Sequence, residues 1–343
     1  MHATWFTLLG LMMIAYAVLD GFDFGAGALH LFVARTDQER RQVLAAIGPL
    51  WDGNEVWLIA SGGCFFFAFP RAYAASFSGL YLPLMMVLWL LVLRGLAIEL
   101  RSMLDHPLWR AAWDATFAGA SVLMAVVLGV ALGNLVRGVP VDATGYFQED
   151  LFAGGGRAGA IDLFTSAYGA FALATLSAHG ATFLVWKTSG ELAARARVAA
   201  KVLWTITLVL GGLASVMTAI AQPALFAHLP ERPWLFLLPV VAIAGAVVAL
   251  RSLRVHRELR AFLASSAFIA AMLLATAGAM YPVILRSTLD EAFTLDAHNS
   301  ASGEVGLVTG LLVCMPAVAL AVLYFSYLFR SFRGKATSEE HAH

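Results

Sequence analysis

Apolar residues run along this chain in long blocks, several of them without a charged side chain, separated by short polar connections. A helix rises about 1.5 Å per residue and the hydrocarbon core of a bilayer is about 30 Å thick, so roughly 20 apolar residues cross it. The pattern predicts nine spans, at approximately 5–33, 49–69, 78–99, 115–136, 161–186, 202–221, 234–250, 261–285 and 304–329. Between the first two, Thr36 and Glu39 have the spacing of a capping box, which predicts a short interfacial helix. Gly48-Pro49 then breaks the chain, and Pro49 suits the first helical position of the second span. Gly154-Gly155-Gly156 marks the longest connection, about 137–160, as mobile, and the polar tail after Arg330 is expected to be loose.

Composition agrees with this pattern. The chain has 343 residues, of which 60% are hydrophobic and 13% charged, and its mean hydropathy is +0.79. An ordinary soluble domain carries about 25% charged residues. The reading is an all-α polytopic membrane protein, a single domain over 1–343 with a cytoplasmic tail at 330–343. No internal repeat is evident. The first apolar run is much longer than a signal-peptide core and no Lys or Arg precedes Arg35, so the first helix is expected to be retained.

Basic residues give a direction. Arg35, Arg40 and Arg41 follow the first span, and Arg94, Arg101 and Arg110 lie at or near the 3–4 connection. Lys187, Arg195, Arg197 and Lys201 follow the fifth span, Arg251, Arg254, Arg257 and Arg260 the seventh, and Arg330, Arg333 and Lys335 the ninth. Only Arg71, Arg137, Arg157, Arg232 and Arg286 fall on the other side, so most of the 22 basic residues share one face. Cytoplasmic loops are enriched in Lys and Arg, which places the N-terminus outside and the C-terminus inside.

Charges inside spans are costly and therefore informative. Asp20 and Asp23 lie three apart in Leu19-Asp20-Gly21-Phe22-Asp23-Phe24-Gly25, on one helix face. Two ionised carboxylates there would repel, so the pair could relay protons; equally, it could pair with an arginine of another helix. Gly21 and Gly25, four apart, allow a close helix contact. Asp52 and Glu55 lie in the first turns of the second span beside Trp51, Asn54 and Trp57. Taken alone, acids at a helix N-terminus favour a dipole role and tryptophans an interfacial one. Arg94, inside the third span, needs a carboxylate; Asp23 or Asp20 is the natural partner, with Asp23 assigned to the structural ion pair. Glu99 follows at the helix end, and Arg101 could snorkel to water. The carboxylates thus cluster in the first three spans, and beyond them only Asp162 and His179 stand out, His179 as a hydrogen-bonded packing residue.

Cys64 and Cys314 stand alone in apolar runs, so no metal site is expected. Haem ligation would call for paired His or Met at facing positions, and no His pair exists; any redox metal is expected on another chain. No catalytic residue is assigned here, and nothing indicates nucleic-acid binding.

The sequence resembles subunit II of the cytochrome bd family of quinol oxidases. The matching strings are Leu19-Asp20-Gly21-Phe22-Asp23-Phe24-Gly25-Ala26-Gly27 and Gly48-Pro49-Leu50-Trp51-Asp52-Gly53-Asn54-Glu55-Val56-Trp57-Leu58-Ile59. Phe69-Pro70-Arg71-Ala72-Tyr73-Ala74, Arg94-Gly95, Gly133-Asn134, Gly180-Ala181-Thr182 and Gly190-Glu191-Leu192 extend the likeness along the chain, and its short length resembles the cyanide-insensitive branch. The resemblance implies two four-helix bundles plus one peripheral helix, in the bacterial cytoplasmic membrane. It implies a partner, subunit I, carrying two b-type haems and haem d and oxidising quinol to reduce O2, in an electrogenic terminal oxidase of a respiratory chain. It also implies a small single-helix accessory subunit, surrounding lipid, and room for a structural quinone or lipid. For this chain it implies a stabilising role and a contribution to proton uptake, with Asp52 as entry, and so moves Asp52 away from a mere dipole role. The alternatives are a proton-coupled secondary transporter, which the absence of paired repeats disfavours, and a scaffold with no part in proton movement.

Overall fold

The structure, a computed structural model, describes residues 1–148, 150–152, 159–227 and 232–336. The helices are α1 (His2–Leu19), α2 (Gly21–Val33), α3 (Asp37–Ile47), α4 (Trp51–Ala68), α5 (Pro70–Gly79), α6 (Tyr81–Leu100) and α7 (Pro107–Arg137). They continue with α8 (Leu163–Lys187), α9 (Gly190–Ala221), α10 (Ala224–Ala227), α11 (Leu237–Arg254), α12 (Glu258–Met280) and α13 (Glu304–Ser331). Among the described residues eight segments are long and apolar enough to cross a membrane, α1 and α2 together forming the first. The remaining expected span, the second, is the helix α4, kept out of that set by low mean hydropathy, because Asp52, Asn54 and Glu55 occupy its first turns.

The first span is interrupted for a single residue, at Asp20. Its second half, α2, packs against both α7 and α8 and is buried from Gly21 to Ala28. There Gly25 meets Gly180 of α8: a β-carbon on Gly25 would lie 1.9 Å from the Leu176 carbonyl oxygen and 2.8 Å from Gly180 Cα. Only glycine allows that approach, which is the close contact expected of the glycines at 21 and 25. One bundle comprises α1–α2, α4, α6 and α7, and the other α8, α9, α11 and α12. The last helix, α13, is peripheral, only 6% of its most apolar window being buried, and it lies along α4 through Trp57 and Phe325.

Several boundaries differ from the sequence reading. The capping box of α3 forms, Glu39 N–H donating to Thr36 Oγ1 (3.2 Å) and Thr36 N–H to Glu39 Oε2 (3.1 Å). Pro49 instead lies in the turn before Leu50, which caps α4. The eighth span stops at Met280, since Pro282 lacks the N–H that would continue it. The residues that follow form a two-stranded antiparallel sheet, β1 (Val283–Leu285) with β2 (Leu295–Asp296). The long connection is in part tied to that region, Val139 N–H donating to Arg286 O at 2.9 Å and Thr288 N–H to Val139 O at 3.0 Å. Gly154-Gly155-Gly156 and Arg157 lie outside the described residues.

The start of the tail is docked rather than loose. Lys335 Nζ donates to Val185 O (3.1 Å) and Thr188 O (2.8 Å) at the end of α8 and pairs with Glu258 at 2.6 Å. Ala336 N–H donates to Lys187 O at 2.7 Å. Unfilled carbonyls at a helix C-terminus attract such donors. Residues 337–343 lie outside the described part.

The loops rich in arginine converge at one end of the molecule: Arg40, Arg101 and Arg110 meet around α3, while Arg195 reaches Glu39 and Arg197 reaches Glu258. The span parity read from the sequence requires this grouping.

Candidate functional site

The break at Asp20 aims its carboxylate across the bundle at Arg94 of α6. Arg94 Nη1 stands 2.7 Å from Asp20 Oδ1 and Nη2 2.5 Å from Glu55 Oε1. Asp20 is fully buried, Arg94 is 1% exposed and the Glu55 side chain 19%. Phe24 of α2 lies beneath the guanidinium, 4.4 Å from its carbon to the ring centroid, a favourable cation–π contact. Trp51 packs on Gly95, beside Arg94 in α6, so a β-carbon at 95 would lie 3.2 Å from the indole.

The expected pairing of Arg94 with Asp23 is therefore corrected: the partner is Asp20, with Glu55. Asp23, equally buried, accepts instead from Asn54 Nδ2 at 2.8 Å, and the same amide donates to Leu19 O at 3.0 Å. The cause is rotation about the helix axis: Asp20, at the break, faces α6, while Asp23 faces the start of α4. Asn54 thus ties both sides of the break to α4. The structure brings together Asp20, Asp23, Asn54, Glu55 and Arg94. Asp52 and Glu99 remain exposed at the helix ends, while Trp57 is turned toward Phe325 of α13.

Charge counting describes what this cluster can do. The cluster holds one guanidinium and three carboxyls, so complete ionisation would leave surplus negative charge in a buried place. Protons held on the carboxyls reduce that surplus, and two of them remove it. Exposure falls from exposed Asp52 through largely covered Glu55 to Asp20 and Asp23, which are sealed.

A second cluster escaped the sequence reading. Asp114 of α7 is fully buried and accepts from Arg101 Nε at 2.5 Å, Arg101 Nη2 at 3.1 Å and Arg40 Nη1 at 2.9 Å, with His30 Nε2 at 2.7 Å. Arg101 also reaches Asp37 at 2.8 Å. It is 1% exposed and so does not snorkel to water. The missed signal was Pro107: proline at a first helical position starts α7 well before residue 115 and places Asp114 inside the helix. Outside the spans, part-burial opposes ionisation of Asp37, but hydrogen bonds from Arg101 and Arg41 hold its carboxyl below the ordinary range. Burial likewise opposes ionisation of Glu39, and Arg195 with the amides of Arg35 and Thr36 lowers it.

The remaining singled-out residues have local partners. His179 bonds to Ser265 Oγ (2.7 Å) and Val18 O (3.0 Å), and Asp162 caps α8 and pairs with Arg137. Cys64 and Cys314 are not solitary: their sulfurs are 3.6 Å apart, joining α4 to α13. Among the described residues no group of three or more His, Cys, Asp or Glu converges as metal ligands would.

Comparison with known proteins completes the picture. Residues 1–332 match the family model for cytochrome bd terminal oxidase subunit II. The chain is 31% identical to the cytochrome bd-I ubiquinol oxidase subunit 2 of Escherichia coli K12, over 98% of this chain and 95% of that one. It is 30% identical to the cytochrome bd ubiquinol oxidase subunit 2 of Bacillus subtilis 168, over 96% of each. The fold matches a chain in the structure of bd oxidase from Geobacillus thermodenitrificans with TM-score 0.77 at 19% identity, over 96% of this chain and 98% of that one. A polytopic helical chain with a buried Asp–Arg–Glu cluster at its first three spans thus belongs to the cytochrome bd terminal oxidase subunit II family, as a subunit of a quinol-oxidising oxidoreductase complex.

Proposed function

We propose that this chain holds the haem-bearing subunit in place and passes protons toward it from the cytoplasm, with Asp52 as the entry. Glu55, Asp20 and Asp23 are the inward stations. In this reading the two b-type haems and haem d, with quinol oxidation and O2 reduction, belong to subunit I, and a single-helix accessory subunit completes the complex in the bacterial cytoplasmic membrane. The cytoplasmic side is the end where the arginine-rich loops gather.

The observation that carries the proposal is the gradient of exposure along these carboxyls, ending on a cluster with more acids than bases. A carboxyl at a water-facing helix start collects protons; Glu55, one turn further in, is next to Arg94 and so to Asp20. Asp23 Oδ1 and Asn54 Oδ1 are buried without a hydrogen-bond partner from the protein, leaving acceptor capacity at the inner end of the line. The family match sets the transporter reading aside.

The test is Asp52→Asn in the intact complex. Quinol-driven O2 uptake should fall several-fold while haem content stays at the wild-type level. Unchanged turnover and unchanged proton uptake would remove Asp52 from the path and leave the chain as a scaffold.

A further inference from the structure

The arginine-rich end is not uniformly neutralised. Arg40 and Arg101 share Asp114, Arg41 and Arg110 share Asp37, Arg195 pairs with Glu39, and Arg197 and Lys335 share Glu258. The turn joining α11 to α12 differs. Arg251, Arg254, Arg257 and Arg260 are all exposed, and none of their guanidiniums has a carboxylate or hydrogen-bond partner among the described residues. Glu258, the acid within this turn, is already taken by Arg197 and Lys335, each at 2.6 Å.

Beneath the turn lies an open groove of about 650 Å³, lined by Val248 of α11 and by Arg257, Glu258, Leu259, Arg260, Leu263 and Ala264. Its charges and its apolar wall are segregated by helical spacing. Arg251 follows Val248 by three residues on α11, and Arg260 precedes Leu263 by three and Ala264 by four on α12. Residues three or four apart share a face, so on each helix a guanidinium stands one turn nearer the helix end than the apolar wall. The groove is therefore cationic at its rim, where the spans leave the bilayer, and apolar below.

We propose that this groove is a binding site for an anionic glycerophospholipid, its phosphate held by Arg257 and Arg260 with Arg251 nearby, and its acyl chain laid on Val248, Leu263 and Ala264. Charge complementarity favours this occupant: guanidiniums donate paired hydrogen bonds to phosphate oxygens, and here they have no internal acid to satisfy them. A zwitterionic lipid would bring its own cation against three unneutralised arginines. A soluble anion would leave the apolar wall without a partner.

The experiment uses the intact, detergent-purified complex. Phosphatidylglycerol and phosphatidylcholine of equal chain length are titrated in and retained lipid is read by native mass spectrometry. The variants are Arg257→Gln with Arg260→Gln, and Arg333→Gln as an exposed cation of the tail. Phosphatidylglycerol should be retained over phosphatidylcholine, and the double variant should lose about 25-fold in its affinity, each basic residue near a membrane surface contributing about a factor of five. Arg333→Gln should leave retention unchanged. Equal retention of the two lipids, or an equal loss in Arg333→Gln, would overturn the site. So would a change of oligomeric state in the double variant with lipid retention intact, which would make the groove a protein contact.

Discussion

Arg94 and Asp20, 2.7 Å apart and both closed off from solvent, join α6 to the break in the first span. Removing one member of a buried pair strands the other, at a cost of roughly 3–5 kcal/mol. Arg94→Leu should therefore lower the yield of assembled complex and the midpoint of its thermal denaturation far more than Asp20→Asn, since the arginine serves two carboxyls. Denaturation followed by haem absorbance in detergent checks the order; equal midpoints for wild type and Arg94→Leu would contradict it.

Asn54 offers a finer cut at the same cluster. Its amide joins Asp23 to the Leu19 carbonyl, so Asn54→Ala leaves a buried carboxyl without its donor, at about 1–3 kcal/mol. Asn54→Asp should be worse, because it adds a fourth carboxyl around one guanidinium. Ranking the two by expression level and thermal midpoint tests this.

Asp114 fastens α3, through Arg40, to α7 and to Arg101 at the end of α6. Asp114→Asn should release α3 without unfolding the bundles. The expected signature is faster amide exchange over residues 37–47, with exchange in α8 unchanged. Uniform loss of protection would instead show that the cluster supports the whole fold.

The same helix should respond to acid. Asp37 and Glu39 have folded-state values below their ordinary ones, so their contribution is complete above the unfolded values, about pH 4, and is lost as pH falls through the folded ones. Exchange over 37–47, corrected for its intrinsic pH dependence, should be flat from pH 7 to about pH 5 and rise below about pH 4. A rise confined to neutral pH would point to other groups.

Gly25 gives a steric prediction. A β-carbon there would overlap backbone of α8, whereas one on Gly212 meets nothing within 4 Å. Gly25→Ala should lower the amount of folded chain in membranes by forcing α2 from α8, an overpacking cost of about 1–3 kcal/mol or more. Gly212→Ala should be accepted.

The spans were legible because hydrocarbon thickness imposes one length on every crossing helix, and the arginine distribution then set their parity. The exception, α4, shows the limit of that signal: Asp52, Asn54 and Glu55 depress hydropathy where the chemistry is concentrated, and there the motif was more informative than the average. Partner choice was not legible. Asp20 and Asp23 are equivalent by spacing, and which of them meets Arg94 depends on a few tens of degrees of helix rotation set by packing. Asp114 was missed because a lone acid near an expected boundary looks like a loop residue until the helix start is moved back to Pro107. The approach of Cys64 to Cys314, 250 residues apart in the chain, is a property of tertiary packing alone.

The docked segment at 332–336 has a consequence for biosynthesis. Helix α13 lies on α4 of one bundle, and the residues after it clip onto the end of α8 and onto Glu258 of the other. This clasp between the two halves is thus made by residues that follow α13 in the chain. The two bundles already meet through α2, α7 and α8, so this clasp adds a second, later seam between them rather than the first.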